Sequence, residues 1–186
     1  MKNFYIISGS SGSGKTTLIE LLSRDLNIEI SVSFTTRKKR KYEIDGVHYN
    51  FITEKKFKEM IQRELFLEFE NVHGDFYGTA LSSLSRYIDK NKLLFFELDV
   101  KGAISLMNYY PLNTVSIFLS PPNVNELRKR LELRSTETNQ EIDKRLSRFD
   151  EEDNLKKEFD YNLINDNFET TFDNIKEIIN RNKKED

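Results

Sequence analysis

Gly9-Ser-Ser-Gly-Ser-Gly-Lys15-Thr16 fits the pattern G-x-x-x-x-G-K-[ST] at every fixed position. These residue types suit one chemistry. Glycines let backbone N–H groups converge on phosphate oxygens with no Cβ in the way, and a following helix adds the positive end of its dipole. Lys15 offers a compact charge to the outer phosphates, and the Thr16 hydroxyl is an oxygen ligand for Mg2+. An apolar run, Phe4–Ser8, precedes the loop and an amphipathic segment follows it. That context separates a phosphate cradle from a plain Gly/Ser turn before a helix. The motif implies a nucleoside triphosphate and leaves the reaction open. Asp99-Val-Lys-Gly102 also fits the D-x-x-G of nucleotide switches, but four residues are a weak pattern. The guanine-reading N-K-x-D has no credible copy: Asn182-Lys-Lys-Glu185 ends in Glu and lies in the charged tail. A switch GTPase is therefore set aside.

A second concentration of anion-binding chemistry runs from Ser33 to Phe51. Arg37 and Arg40 can bond a phosphate through two N–H groups at once, which Lys cannot, and Tyr49 can donate its hydroxyl to the same group. Charge alone would make this a solvated basic loop. Hydroxyls, arginines and an aromatic together point to a monophosphate site. His48 and His73 have no partner spacing for catalysis or metal binding and read as packed or solvated. Phe34, Phe66 and Phe69 read as core or pocket wall.

The elements that must position these residues read as alternating strands and helices. Short apolar runs at Phe4–Ser8, Leu93–Leu98, Thr114–Leu119 and Tyr161–Ile164 are bounded by polar or turn residues, as buried parallel strands are. Helical spacing of apolar residues marks Lys15–Leu26, Asn123–Leu133 after Pro121-Pro122, and Phe168–Asn180. The pattern predicts an α/β fold around a parallel sheet. Two stretches depart from it. Residues 31–79 are polar, aromatic and Gly-punctuated, an insertion with its own small strands. Residues 134–153 are highly charged with almost no apolar stripe, a solvated helix or a lid.

The chain's 186 residues are the length of one domain, long enough for a core without staples. Cysteine is absent, which excludes disulfides, thiolate nucleophiles and Cys-ligated metals. Twenty-nine basic and 31 acidic residues leave a net charge of −2, so neither nucleic acid nor a membrane surface is an expected partner. No targeting or membrane segment is visible, and a reducing cytoplasm is the expected compartment.

The order of motifs resembles the guanylate kinase family, nucleoside monophosphate kinases that phosphorylate GMP with ATP. After the P-loop, the resemblance runs through S-x-T-T-R-x-x-R-x-x-E-x-D-G-x-x-Y-x-F at 33–51, Phe66-Leu-Glu68 and Gly74-Asp-Phe-Tyr77-Gly-Thr79. It continues through Leu98-Asp-Val-Lys-Gly102, Phe118-Leu-Ser-Pro-Pro122, Arg130-Leu-Glu-Leu-Arg134-Ser-Thr-Glu137, Arg145-Leu and Asn165-Asp166. It covers nearly the whole chain.

The resemblance implies a P-loop three-layer sandwich with a five-stranded parallel sheet. It implies a core of 1–32, 80–133 and 154–186, a GMP-binding insertion at 33–79 and a short lid at 134–153. The implied reaction moves the γ-phosphoryl of ATP to GMP or dGMP, in purine nucleotide metabolism, with Mg2+ accompanying ATP. ATP would be held by Gly9, Ser10, Ser11, Gly12, Ser13 and Gly14, by Lys15, Thr16 and Thr17, and near the adenine by Asn165 and Asp166. Thr16 would be the metal ligand. Arg37, Arg40, Tyr49 and Tyr77 would hold the GMP phosphate, with Glu43 beside them. Ser33, Glu68, Thr79 and Asp99 would read or line the guanine. Lys15, Arg37, Arg134 and Arg145 would act on the transferring phosphoryl.

Some positions depart from the family pattern. Lys41-Tyr42 stands where Pro-Gly is usual, so that turn must form without glycine's positive φ. Ser135 replaces Gly at the lid's entrance, Glu97 the usual Asp, Lys101 the usual Gln, and Arg148 a common Ala. Two other readings are a guanylate-kinase-like interaction module without catalysis, which the intact Gly14-Lys15-Thr16 argues against, and a related P-loop kinase for another phosphorylated small molecule, which the Ser33, Glu68 and Thr79 set argues against.

Overall fold

The computed structural model describes residues 2–72, 74–85, 92–133 and 138–183. Its centre is a five-stranded sheet in the order β2 (Ile28–Ser31), β7 (Leu93–Glu97), β1 (Phe4–Ser8), β8 (Thr114–Ser120), β9 (Tyr161–Ile164). Every pairing in it is parallel. All five residues of β1 and all seven of β8 are buried, as expected of parallel strands covered on both faces.

Alternation along β1 divides the core. Tyr5 and Ile7 join Phe95 and Ile117 under α1 (Lys15–Asp25) and α8 (Phe168–Asn182). Phe4 and Ile6 join Phe96 and Phe118 under α4 (Val100–Tyr109). Each such apolar side chain contributes about 1.5–3 kcal/mol when fully buried. The carboxyl ends of the strands therefore open on a common crevice, where ligands of open α/β sheets bind.

A smaller sheet has the order β4 (Asn50–Phe51), β3 (Phe34–Thr35), β6 (Asp75–Ala80), β5 (Phe66–Val72). It falls in the stretch read as an insertion. Phe57 of α2 (Glu54–Gln62) stacks on Phe66 at 4.3 Å and on Phe76 at 5.3 Å between ring centroids, which seats that helix on the sheet. Thr53 caps α2 by accepting from the Lys56 N–H.

The charged segment is not stripeless. After α3 (Leu81–Ser85) and α5 (Val124–Leu133) come α6 (Asn139–Leu146) and α7 (Phe149–Asn154). Ile142, Leu146 and Phe149, spaced i, i+4, i+7, pack on Leu127 and Leu131 of α5. A capping box between Thr138 and Glu141 starts α6.

The sequence pattern does not show β2, α2, α3 or α4. The run of β2, Ile-Glu-Ile-Ser, alternates over four residues only, and it is an edge strand bonded to β7 alone. Gly102 near the start of α4 weakens the helical signal there.

Candidate functional site

The P-loop leaves β1 and enters α1 through left-handed glycines. Gly9 has φ +131°, and a Cβ on it would collide with the Leu119 carbonyl of β8. Gly14 has φ +100°, and a Cβ there would collide with the Asn165 amide. No other residue type fits either place. Lys15 Nζ donates to the carbonyls of Gly9 at 2.6 Å and Ser10 at 3.0 Å, which folds its charge back over the loop. The Thr16 hydroxyl donates to the Glu97 carboxylate at 2.8 Å.

A single cleft of about 830 Å3 runs from this loop to the smaller sheet, with Lys15, Thr16 and Arg145 at one end and Arg37, Tyr49 and Glu68 at the other. Gly9, Ser11, Gly12, Gly14, Thr17, Ser33, Arg40, Glu43, Tyr77 and Asp99 line it as well. Ser10, Ser13 and Thr79 are buried behind its wall. Asn165 is also buried, and its side chain donates to the Ser13 carbonyl at 2.8 Å, bracing the loop from below. Asp166 is exposed. Arg134 and Ser135 lie outside the described residues, as does His73.

At the insertion end, Arg37 makes a two-pronged pair with Glu43, at 2.6 and 3.1 Å. Glu43 also accepts from the Arg40 backbone N–H at 2.6 Å. Burial alone would raise the Glu43 carboxyl, but the Arg37 and Arg40 bonds outweigh it and hold its pKa below the ordinary value. Glu43 therefore orients the Arg37 guanidinium, ties down the Arg40 backbone, and stays ionised. The Arg37 guanidinium lies over the rings of Tyr49 and Phe51, 5.6 and 5.7 Å from their centroids. Tyr49 packs edge-on to Tyr77, and burial pushes its hydroxyl's pKa up, so it stays a proton donor. The Lys41-Tyr42 turn closes through the Glu43 N–H on the Arg40 carbonyl at 3.1 Å, with neither residue in the left-handed region.

Glu68 is delivered by a fault in the pleat. A β-bulge between Phe66 and Glu68 breaks the alternation of β5, so that Leu67 and Glu68 are both buried. Leu67 enters the core and Glu68 the cleft. Burial raises the Glu68 carboxyl to about 7, with the nearby Asp99 charge adding to the shift and hydrogen bonds from Thr79 opposing it. The Ser33 and Thr79 hydroxyls lie 3.3 Å apart. Asp99 caps α4 by accepting from the Gly102 N–H at 2.8 Å. The D-x-x-G match is thus the spacing of a helix cap.

At the P-loop end, Arg145 Nη1 donates to the Ser11 hydroxyl at 2.6 Å. Three carboxylates of this cleft escaped the sequence reading as site residues. Glu97 was seen only as a departure, although an acid at the carboxyl end of a buried parallel strand beside a P-loop is a legible signal. Glu152 of α7 lines the cleft, and burial raises its carboxyl's pKa although the charges of Lys15, Arg148 and Arg145 oppose the rise. Glu20 of α1 faces His48 of the insertion at 3.6 Å. Nothing in the local sequence marks the last two.

A family model described as guanylate kinase matches residues 1–182. Among curated proteins, the chain is 41% identical over 179 residues to a guanylate kinase of Prochlorococcus marinus (strain MIT 9312), covering 96% of this chain and 97% of that one. It is 40% identical over 165 residues to a guanylate kinase of Sulfurimonas denitrificans, covering 88% and 80%. Among solved structures, guanylate kinase from Anaplasma phagocytophilum superposes with a TM-score of 0.81 at 30% identity, over 96% of this chain and 85% of that one. Shikimate kinase from Acinetobacter baumannii shares the fold, at a TM-score of 0.54 and 15% identity, over 97% and 94%.

Proposed function

The chain belongs to the guanylate kinase family, and we propose that its one long cleft holds ATP at the P-loop end and GMP at the insertion end. The enzyme phosphorylates GMP at the expense of ATP, giving GDP and ADP. The observation that carries the residue assignment is that this cleft joins Lys15 and Arg145 to Arg37, Tyr49 and Glu68.

A GMP phosphate oxygen attacks the γ-phosphorus in line, and the bond from that phosphorus to the β–γ bridging oxygen breaks. A phosphate monoester dianion is already nucleophilic, so no general base is required. Both substrates are anions that repel one another. The protein's work is to align them and to spread positive charge over the moving group. Arg37, Arg40, Tyr49 and Tyr77 hold the GMP phosphate, with Glu43 setting the plane of Arg37 and anchoring the backbone of Arg40. Glu68 accepts from guanine N1–H and N2–H2, and the Ser33 hydroxyl serves O6, with Thr79, buried behind it, supporting Ser33 and Glu68 in place of the direct contact expected of it. Lys15, Arg134 and Arg145 meet the phosphates of ATP, and Asn165 acts by bracing the loop. One arginine on a phosphoryl transition state is worth about 10³–10⁵ in rate.

The Thr16 hydroxyl and Glu97 carboxylate, 2.8 Å apart, are hard oxygen donors of the kind Mg2+ takes, and they would hold the ion. When bound, it neutralises phosphate charge. The working division is a core of 1–32, 80–133 and 154–186, an insertion at 33–79 and a lid at 134–153.

A panel of nucleoside monophosphates with ATP as donor tests this reading. GMP and dGMP are expected to turn over and AMP, CMP and UMP to be rejected. Lys15→Met is expected to abolish transfer with the melting temperature unchanged, and Arg145→Ala to lower kcat far more than it raises KM for GMP. Comparable use of AMP, or near-normal turnover by folded Lys15→Met, would sink the assignment.

A further inference from the structure

We propose that the Ser11 hydroxyl is the docking point that orients Arg145 for phosphoryl transfer, a positioning residue and not one more phosphate contact. Ser11 occupies an unspecified position of the P-loop pattern, where the phosphate cradle needs a backbone N–H and no particular side chain. Its hydroxyl nonetheless accepts from Arg145 Nη1 at 2.6 Å, joining residues 134 positions apart.

Arg145 reaches the loop from a helix that is already seated. Ile142 of α6 is buried against Leu127 and Leu131 of α5. Arg128 of α5 and Asp143 of α6 pair at 2.6 Å. Leu127 and Leu131 in turn lie directly beneath Gly12, within 2.9 and 3.1 Å of where its Cβ would be. The loop, α5 and α6 thus form one packed stack, which carries Arg145 to the loop.

Packing fixes where the arginine's backbone sits, but not the plane of its guanidinium at the end of a long side chain. A hydrogen bond to one Nη restricts it. The group is flat, and its donors lie in a rigid fork. Anchoring one prong on Ser11 sets the direction of the others relative to phosphates bound in the same loop. A guanidinium aligned beforehand loses less conformational freedom on reaching the transition state.

The inference rests on the assignment of Arg145 to the transferring phosphoryl, and the variants separate the two. Wild type, S11A, S11T, R145A and S11A/R145A are compared for kcat, for KM of both substrates, for ATP affinity by calorimetry without GMP, and for melting temperature. S11A is expected to lower kcat about tenfold, the scale of one hydrogen bond to a charged group. ATP affinity and KM for GMP should stay within about twofold, and S11T, which keeps an acceptor, should recover most of the rate. In the R145A background, S11A should change kcat by less than about twofold, because the hydroxyl then has nothing to orient.

Additive losses in the double variant would overturn the proposal. So would S11A weakening ATP binding at unchanged kcat. Loss of rate in R145A with normal S11A refutes the docking alone, whereas normal kcat in R145A refutes the assignment beneath it. If S11A melts well below wild type, S11C decides: its thiol keeps the shape but is a weak acceptor, so it should fall with S11A and not with S11T.

Discussion

Glu68 shows what one buried carboxyl imposes. Burial raises its pKa to about 7, so part of the unliganded population carries it protonated at neutral pH. In the proposed role Glu68 accepts from guanine N1–H and N2–H2, so GMP would select the carboxylate and a proton would leave. Binding at pH 7 is therefore expected to release a fraction of a proton, and less as pH rises, measured by calorimetry in buffers of different ionisation enthalpy. GMP affinity should weaken as pH falls below 7. The GMP phosphate, which titrates near 6, adds to this only at lower pH. Glu68→Gln should abolish the release and cut kcat/KM for GMP by about 10²-fold or more, since its amide sets a donor against a donor. Proton release that persists in Glu68→Gln would refute this account. The sign for stability follows from the raised folded value. The free enzyme is favoured below the unfolded carboxyl's pKa and loses stability as pH rises from there to about 7.

Among elements, the start of α4 carries two duties at once. Asp99 caps the helix through the Gly102 N–H, and Gly102 has no side chain because Glu68 stands against it. A Cβ there would lie 2.7 Å from Glu68 Oε2 and 3.2 Å from its carboxyl carbon. Gly102→Ala should help the helix by up to about 1 kcal/mol while displacing Glu68, the proposed guanine reader. The expected result is an unchanged or slightly raised melting temperature, a KM for GMP at least about tenfold higher, and an unaltered KM for ATP. Unchanged GMP affinity would show that Glu68 can give way without cost. The bulge in β5 acts on the same carboxylate from the other side. An ideally pleated strand would point either Leu67 or Glu68 inward, and the register shift lets both be buried.

At the scale of the whole molecule, the described apolar residues include two large clusters on the faces of the parallel sheet, the aromatic group around Phe57 under α2, and a small cluster under α6. The small cluster can loosen without the sheet melting. Ile142→Ala removes a fully buried side chain, a change that costs about 2–5 kcal/mol in a main core. Here the loss should stay local: a melting temperature within about 2 °C of wild type, faster amide exchange across residues 138–147, and kcat lowered several-fold as Arg145 loses its seat. A large drop in melting temperature with normal exchange in α6 would mean that the small cluster is part of the main core after all.

The P-loop, four of the five central strands and the family's motifs were legible in the amino-acid sequence, because each depends on neighbours a few positions away. A glycine-lysine-threonine run after an apolar strand has little else to be, and Arg37, Arg40, Glu43 and Tyr49 lie within one short stretch. The charged helix was misjudged, since Ile142, Leu146 and Phe149 are a narrow stripe among many charges and acquire a partner only when α5 comes alongside. Tertiary structure alone decided the contacts between distant segments. It set Thr16 on Glu97, Asn165 beneath Ser13, and Arg145 on Ser11. It also decided Glu68's protonation, which comes from burial beside Asp99 and is a property of an enclosed cleft, not of any local run of residues.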